Sequence, residues 1–308
     1  MLTVVGPSPS VDITYVVDEY RLGEIHRPTL VARCAGGKAL NMARAASRLG
    51  ADTTLLTVLG GATGSWIAEE LAAEQVTTVA VADEAETRTC VSVSSAATGT
   101  LTEVYEHAPE IPSTTWQQLV AELERLLPTR PGWLSTSGST PKGLPETQIA
   151  GLVEIGHRHG IKVAVDTHGP ALGPALAARP DLVKINRSEA AEELGVDPAT
   201  DLAEMAEALH QRTGGAVVLT DGAAGALALS EGRLVRASLP KVHGNFPVGS
   251  GDSFLGGLLA RWDAGADLAD CLRTAMGCGA ANALVPGAAR FEATEALRLA
   301  AQVTEHPA

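Results

Sequence analysis

The chain has 308 residues, 45% hydrophobic and 3% aromatic, with a formal net charge of −13. That is enough for one large core, while the acidic balance and the scarcity of aromatic platforms exclude a nucleic-acid partner. No run approaches the ~20 apolar residues of a membrane span and "MLTVVGPSPSVD" lacks the basic region of a signal peptide, so a cytoplasmic protein with no membrane partner is expected. In chain order, "LTVVG" reads as a strand leading to "GPSPSVD" and Asp12, and polar and apolar residues then alternate from about Ile13 to Arg33. "ALNMARAASRLG" has helical period, "TTLLTVLG" is a strand, and a second alternating stretch, residues 89–106, turns at Thr98-Gly99. "TWQQLVAELERLL" is a helix, and "KVAVDT", "DLVKIN", "AVVLTDG" and "ALALS" are further β-prone runs among Ala/Leu/Glu-rich segments. The alternation predicts an α/β fold: one unit over 1–308, a doubly wound, mostly parallel sheet with helices on both faces. The alternating segments, 13–33 and 89–106, predict a small antiparallel β lid.

Four cysteines, Cys34, Cys90, Cys271 and Cys278, form no C-x-x-C pair and have no histidine at zinc-ligand spacing, so they read as reduced structural thiols. His157 and His159 in "GHRHG" lack an H-E-x-x-H set and read as solvated residues at a helix end. Ligands of open α/β sheets bind beyond the carboxyl ends of the strands. The residues there are Asp12, the "LSTSGSTPKG" loop, Asp166, "NRSE" and "TDGAAG". Each suits a phosphorylated substrate or a nucleotide, and each suits a helix cap equally well. Neither a Walker A loop nor a G-x-G-x-x-G turn is present; "AGGKALN" departs from the former after Lys38. The best phosphate cradle is "VGSGD", Val248 to Asp252, where small residues open a helix and an acidic residue follows at once.

"GGKALNMARAASRLGA" from Gly36 and "PVGSGDSFLGG" from Pro247 resemble the N- and C-terminal signatures of the ribokinase-like (PfkB) carbohydrate kinases. "ETRTCVSV", "GTLTEVYEHAPEI", "TSGSTPKGLP", "NRSEAAEELG" and "TDGAAGAL" resemble segments of 1-phosphofructokinases and tagatose-6-phosphate kinases, so the resemblance covers nearly the whole chain. It implies a ribokinase-like fold and transfer of the γ-phosphoryl of ATP to a hydroxyl of a phosphorylated ketohexose, fructose 1-phosphate, fructose 6-phosphate or tagatose 6-phosphate. Asp252 is then the base on that hydroxyl, and the N–H groups of Gly249, Ser250 and Gly251 face the transferring phosphoryl.

The family pattern further implies that Asp12, Gly36, Gly37 and Asn41 hold sugar hydroxyls, and that Arg27, Lys38, Arg88 and Ser139 hold the phosphate already on the sugar. It assigns Lys184, Asn186, Thr220, Gly222, Gly225 and Asn282 to the nucleotide, and Asn186 and Glu189 to Mg²⁺ through water. It implies a homodimer formed through the lids. Three departures stand near the sugar: Ser8 replaces an Asn, Ala39 adds a methyl where Gly is usual, and Thr140 replaces a Leu. A kinase of an unphosphorylated sugar or nucleoside, and a sugar-phosphate-binding regulator without catalysis, are the alternatives.

Overall fold

The computed structural model describes residues 1–240, 242 and 244–306. Its strands are β1 (Leu2–Gly6), β2 (Ser10–Val17), β3 (Leu30–Gly36), β4 (Thr53–Gly60), β5 (Thr77–Asp83), β6 (Thr89–Ser95), β7 (Thr100–Tyr105), β8 (Trp133–Ser137), β9 (Lys162–Asp166), β10 (Leu182–Asn186), β11 (Ala216–Thr220), β12 (Ala226–Ser230), β13 (Arg233–Ser238) and β14 (Thr304–His306). Its helices are α1 (Lys38–Arg48), α2 (Gly61–Ala73), α3 (Ser113–Leu126), α4 (Gln148–Arg158), α5 (Leu172–Ala177), α6 (Arg187–Leu194), α7 (Leu202–Thr213), α8 (Ser250–Asp263), α9 (Leu268–Ala283) and α10 (Ala293–Ala300).

The large sheet runs β14-β13-β12-β11-β10-β9-β8-β1-β4-β5. From β11 to β5 every pair is parallel, whereas β12, β13 and β14 add antiparallel strands at one edge. "ALALS" therefore joins the sheet antiparallel. Only the short turn Gly222–Ala224 separates it from β11, and a parallel crossover needs a dozen or more residues. Buried alternation along the strands feeds two layers. Val4, Leu55, Ala164, Leu182 and Val218 pack in the layer that holds residues of α1, α8 and α9. Val5, Leu56 and Val163 face α3 and α4, and Val183 and Val217 face α7. All four cysteines are buried and free, and burial pushes the Cys271 and Cys278 thiols up to about 12, which leaves them inert.

The second sheet is β3-β2-β6-β7. Its outer pairs are antiparallel, as expected of the lid, but its central pair, β2 with β6, is parallel. The two segments leave the main sheet at different points and enter the lid in the same direction. The lid also reaches further than 13–33: β2 starts at Ser10 and β3 ends at Gly36, so Asp12 belongs to a strand of the lid. The chain winds from β1 toward β4 and β5 on one side and returns to β8 on the other. The ends of β1, β8, β9 and β10 thus converge beneath the lid.

Candidate active site

Two cavities flank the N-terminus of α8. The larger, of about 520 Å³, is lined by Asp12, Gly37, Lys38, Asn41, Arg88, Ser139, Asp166, Lys184, Asn186, Glu189, Gly249, Gly251 and Asp252, among others. The second, of about 380 Å³, has Thr220, Gly222 and Gly225 on one side and Phe254, Met276 and Ala280 on the other. Gly251 lines both, Asp252 only the larger, and Ser250 only the second. Gly249 makes this possible with φ 81, a left-handed conformation that glycine adopts without strain. The Ser250 N–H is spent on the carbonyl of Pro247 at 3.0 Å. Among the described residues this leaves the N–H groups of Gly249, Gly251 and Asp252, rather than those of Gly249, Ser250 and Gly251, open toward a ligand.

Asp252 is buried and accepts a hydrogen bond from Asn41 Nδ2 at 2.9 Å. Burial, reinforced by the nearby Asp166 carboxylate, pushes it up to about 6. Burial also works against Asp166, but the ammonium groups of Lys184 at 2.8 Å and Lys38 at 3.3 Å outweigh it and hold its carboxyl below the usual range. Lys184 lies so close to the glycine turn that a Cβ on Gly251 would come 3.0 Å from its Nζ. The sequence marks Asp166 only as a strand-end carboxylate. Its place between two lysines depends on β9 lying beside β10 and opposite α1.

Asp12 is held by the Ser10 hydroxyl at 2.6 Å, and burial raises its pKa despite Arg44 and Arg88 nearby. Gly36 lies directly beneath it: a Cβ there would come 2.0 Å from Asp12 Oδ2. Gly36 thus makes room for the carboxylate, and Gly37 is the one of the pair that walls the cleft. Arg88 donates at 3.3–3.4 Å to the carbonyls of Ser8, Pro9 and Glu106, which braces the join between lid and sheet. The methyl of Ala39 points at β1, where a Cβ on Gly6 would come 2.1 Å from it. The extra methyl is accommodated against Gly6, which has no side chain to oppose it, at the wall of the larger cleft.

Two residues are not where the family pattern places them. Arg27 is exposed in the loop between β2 and β3 and lies outside both cavities of this chain, because that loop joins the ends of β2 and β3 opposite to Ser10 and Gly36. Asn282 is fully buried on α9 and does not line the second cavity. Its Nδ2 donates to Val248 O at 2.8 Å, Ser250 Oγ at 3.0 Å and Phe246 O at 3.3 Å, and its Oδ1 accepts from Ala289 N at 2.7 Å. With both ends of the amide committed, Asn282 clamps the "FPVGS" loop and has nothing left for a nucleotide.

Asn186 and Glu189 form a capping box on α6. Glu189 N donates to Asn186 Oδ1 at 3.0 Å and Asn186 N to Glu189 Oε2 at 2.8 Å. Each keeps spare lone pairs toward the cleft, but no three His, Cys, Asp or Glu side chains among the described residues are grouped to hold a metal directly. The pair therefore fits an ion that retains water and takes its remaining ligands from substrate phosphates, as Mg²⁺ does.

A model of the pfkB carbohydrate kinase family matches residues 2–295. The Escherichia coli phosphofructokinase-2 in complex with substrates and products superposes with a TM-score of 0.89 at 26% identity, covering 98% of each chain. The same enzyme in complex with fructose-6-phosphate gives 0.86 at 25%, again covering 98% of each. A possible 1-phosphofructokinase from Thermotoga maritima gives 0.90 at 19% identity, covering 99% of each, a likeness of fold.

Proposed function

Since the chain belongs to the pfkB family of carbohydrate kinases and is an ATP-dependent sugar kinase, we propose that its acceptor is a phosphorylated ketohexose bound in the larger cleft. The observation that carries this reading is a pair of cations: in a chain of net charge −13, Lys38 and Arg88 border the same cleft as Asp252. Fixed cations in an acidic protein favour an anionic substrate, and a guanidinium suits a phosphate. The Escherichia coli neighbour that holds fructose-6-phosphate supports the same class.

In this reading Asp12 and Asn41 accept and donate to sugar hydroxyls, Ser139 and Arg88 meet the sugar phosphate, and Asp252 takes the proton from the attacking hydroxyl. ATP lies in the second cavity, its base among apolar residues beside Thr220, Gly222 and Gly225, and its phosphates reach Gly251 from the other side of the turn. The free N–H groups of Gly249, Gly251 and Asp252, with Lys184, face charge that grows on the phosphoryl group. Asn186 and Glu189 would hold Mg²⁺ through water; when bound, the ion supplies positive charge across the phosphates.

A carboxylate beside a phosphate at one helix entrance would be repelled by it, and Lys38 and Lys184, which line the larger cavity together with Asp252, offset that repulsion. A coupled ADP-release screen over fructose, fructose 1-phosphate, fructose 6-phosphate and tagatose 6-phosphate tests the proposal. Turnover with one or more of the phosphorylated sugars alone is expected. Turnover with fructose alone would replace it with a kinase of unphosphorylated sugars, and binding without ADP would make the chain a regulator.

A further inference from the structure

Arg44 stands one turn beyond Asn41 on α1 and is 1% exposed, one of the largest fully buried side chains. A buried guanidinium persists only where its donors are met. Here Nε donates to Glu74 Oε2 at 2.6 Å, Nη2 to Ala35 O at 2.6 Å, and Nη1 to Ala288 O at 3.1 Å and Asn41 Oδ1 at 3.4 Å. Glu74 and the two carbonyls would already satisfy the cation, so the contact with Asn41 has a different consequence. An amide is nearly symmetric in shape, and only its neighbours decide which end is the acceptor. Between a guanidinium and a carboxylate one orientation works: Oδ1 toward Arg44, and Nδ2 toward Asp252 at 2.9 Å. The flipped amide would set its NH₂ against a cation and its oxygen against an anion.

We propose that Arg44 is a positioning residue which, acting through Asn41, keeps the amide turned so that it donates to Asp252 and holds that carboxylate ionised and aimed into the cleft. The inference rests on the reading of Asp252 as the base. The same guanidinium ties Ala35, at the head of the Gly36-Gly37 turn, to Ala288, against which Gly249 packs, so both flanks of the cleft meet at one side chain. The other charged groups around Asp252 are Lys38 from α1, Asp166 from β9 and Lys184 from β10. Replacing Arg44 leaves all three in place and releases the amide, so the Asp252 carboxyl protonates more readily. It also releases Glu74 and the carbonyls of Ala35 and Ala288 and removes a cation near Asp12, effects that N41A does not share and that the double variant therefore separates.

The test is the pH dependence of kcat/KM for wild type, R44M, R44K, N41A and N41A/R44M, with melting temperatures of each and D252N alongside. R44M is expected to move the acidic midpoint up by about one pH unit, N41A by as much, and the double variant no further than N41A. R44K keeps a cation opposite Glu74 but loses the planar fork, so it carries the test if R44M does not fold, with a shift in the same direction. An unmoved acidic limb in R44K with a lowered melting temperature, or additive shifts in the double variant, overturns the inference and makes Arg44 structural. An active D252N would instead overturn the base assignment itself.

Discussion

Asp252 is costly to keep ionised where it stands. Its ordinary pKa of 3.8 is pushed up to about 6, chiefly by burial. A carboxyl raised in the folded state carries no penalty below the unfolded value and the full penalty above the folded one, about 2–3 kcal/mol for a shift of this size. Asp252→Asn is therefore expected to raise the melting temperature by several degrees at pH 7.5 and to leave it unchanged near pH 3.5, while turnover is lost and calorimetry still detects sugar and ATP. Loss of sugar binding together with activity would sink the assignment. In wild type, kcat/KM should fall tenfold per pH unit below about 6, and a profile flat to pH 5 would place the base elsewhere. Arg88→Ala removes a charge-assisted contact of about 1.5–3 kcal/mol, so KM for a phosphosugar should rise about tenfold or more. An unchanged KM would move the substrate phosphate to another part of the cleft.

The decisive pair of elements is α1 and α8, since one carries Asn41 and the other Asp252. They pack almost backbone to backbone: a Cβ on Gly256 would come 2.6 Å from Met42 O, within helix α1. Gly256→Ala is expected to push the helices apart by a few tenths of an ångström and stretch the Asn41–Asp252 bond, because the obstacle is a backbone carbonyl that cannot swing aside. A misplacement of about 1 Å can cost about 10²-fold in rate, so this smaller one is expected to lower kcat severalfold. Full kcat in a folded Gly256→Ala protein would show that the spacing is not critical. Helix α9 fixes the same loop from behind, through Asn282 and its bonds to Phe246, Val248 and Ser250.

At the scale of the whole molecule the lid leaves apolar side chains uncovered. Leu22 and Ile25 are 89% and 87% exposed; Val31 and Val104, at 56% and 66%, share one face of the lid sheet with Tyr15 and Val91. Apolar side chains gathered on one small sheet mark an interaction surface, and a second copy of the lid is the proposed occupant. Sedimentation should give a dimer for wild type and a monomer for V31K/V104K, and a monomeric wild type would end that reading. Among the described residues no helix is long and apolar enough to cross a membrane.

Periodicity was sufficient for the central strands of the main sheet: "LTVVG" and "TTLLTVLG" are β1 and β4 to the residue, since a strand buried on both faces is largely apolar and β-branched, whereas the edge strands β5, β13 and β14 are not read as strands. The two motifs at Gly36 and Pro247 marked Lys38, Asn41 and Asp252, and the strand end at "GPSPSVD" marked Asp12, because local turn chemistry is written in adjacent residues. Partners brought together by topology were not legible in this way. Asp166 acquires its two lysines, and Arg44 its partners Glu74 and Ala288, only when strands and helices distant in the chain come side by side. Arg27 and Asn282 mark the opposite limit. A motif names a residue type at a position, but exposure and the saturation of hydrogen bonds, which decide whether that residue can meet a ligand, are properties of the packed molecule.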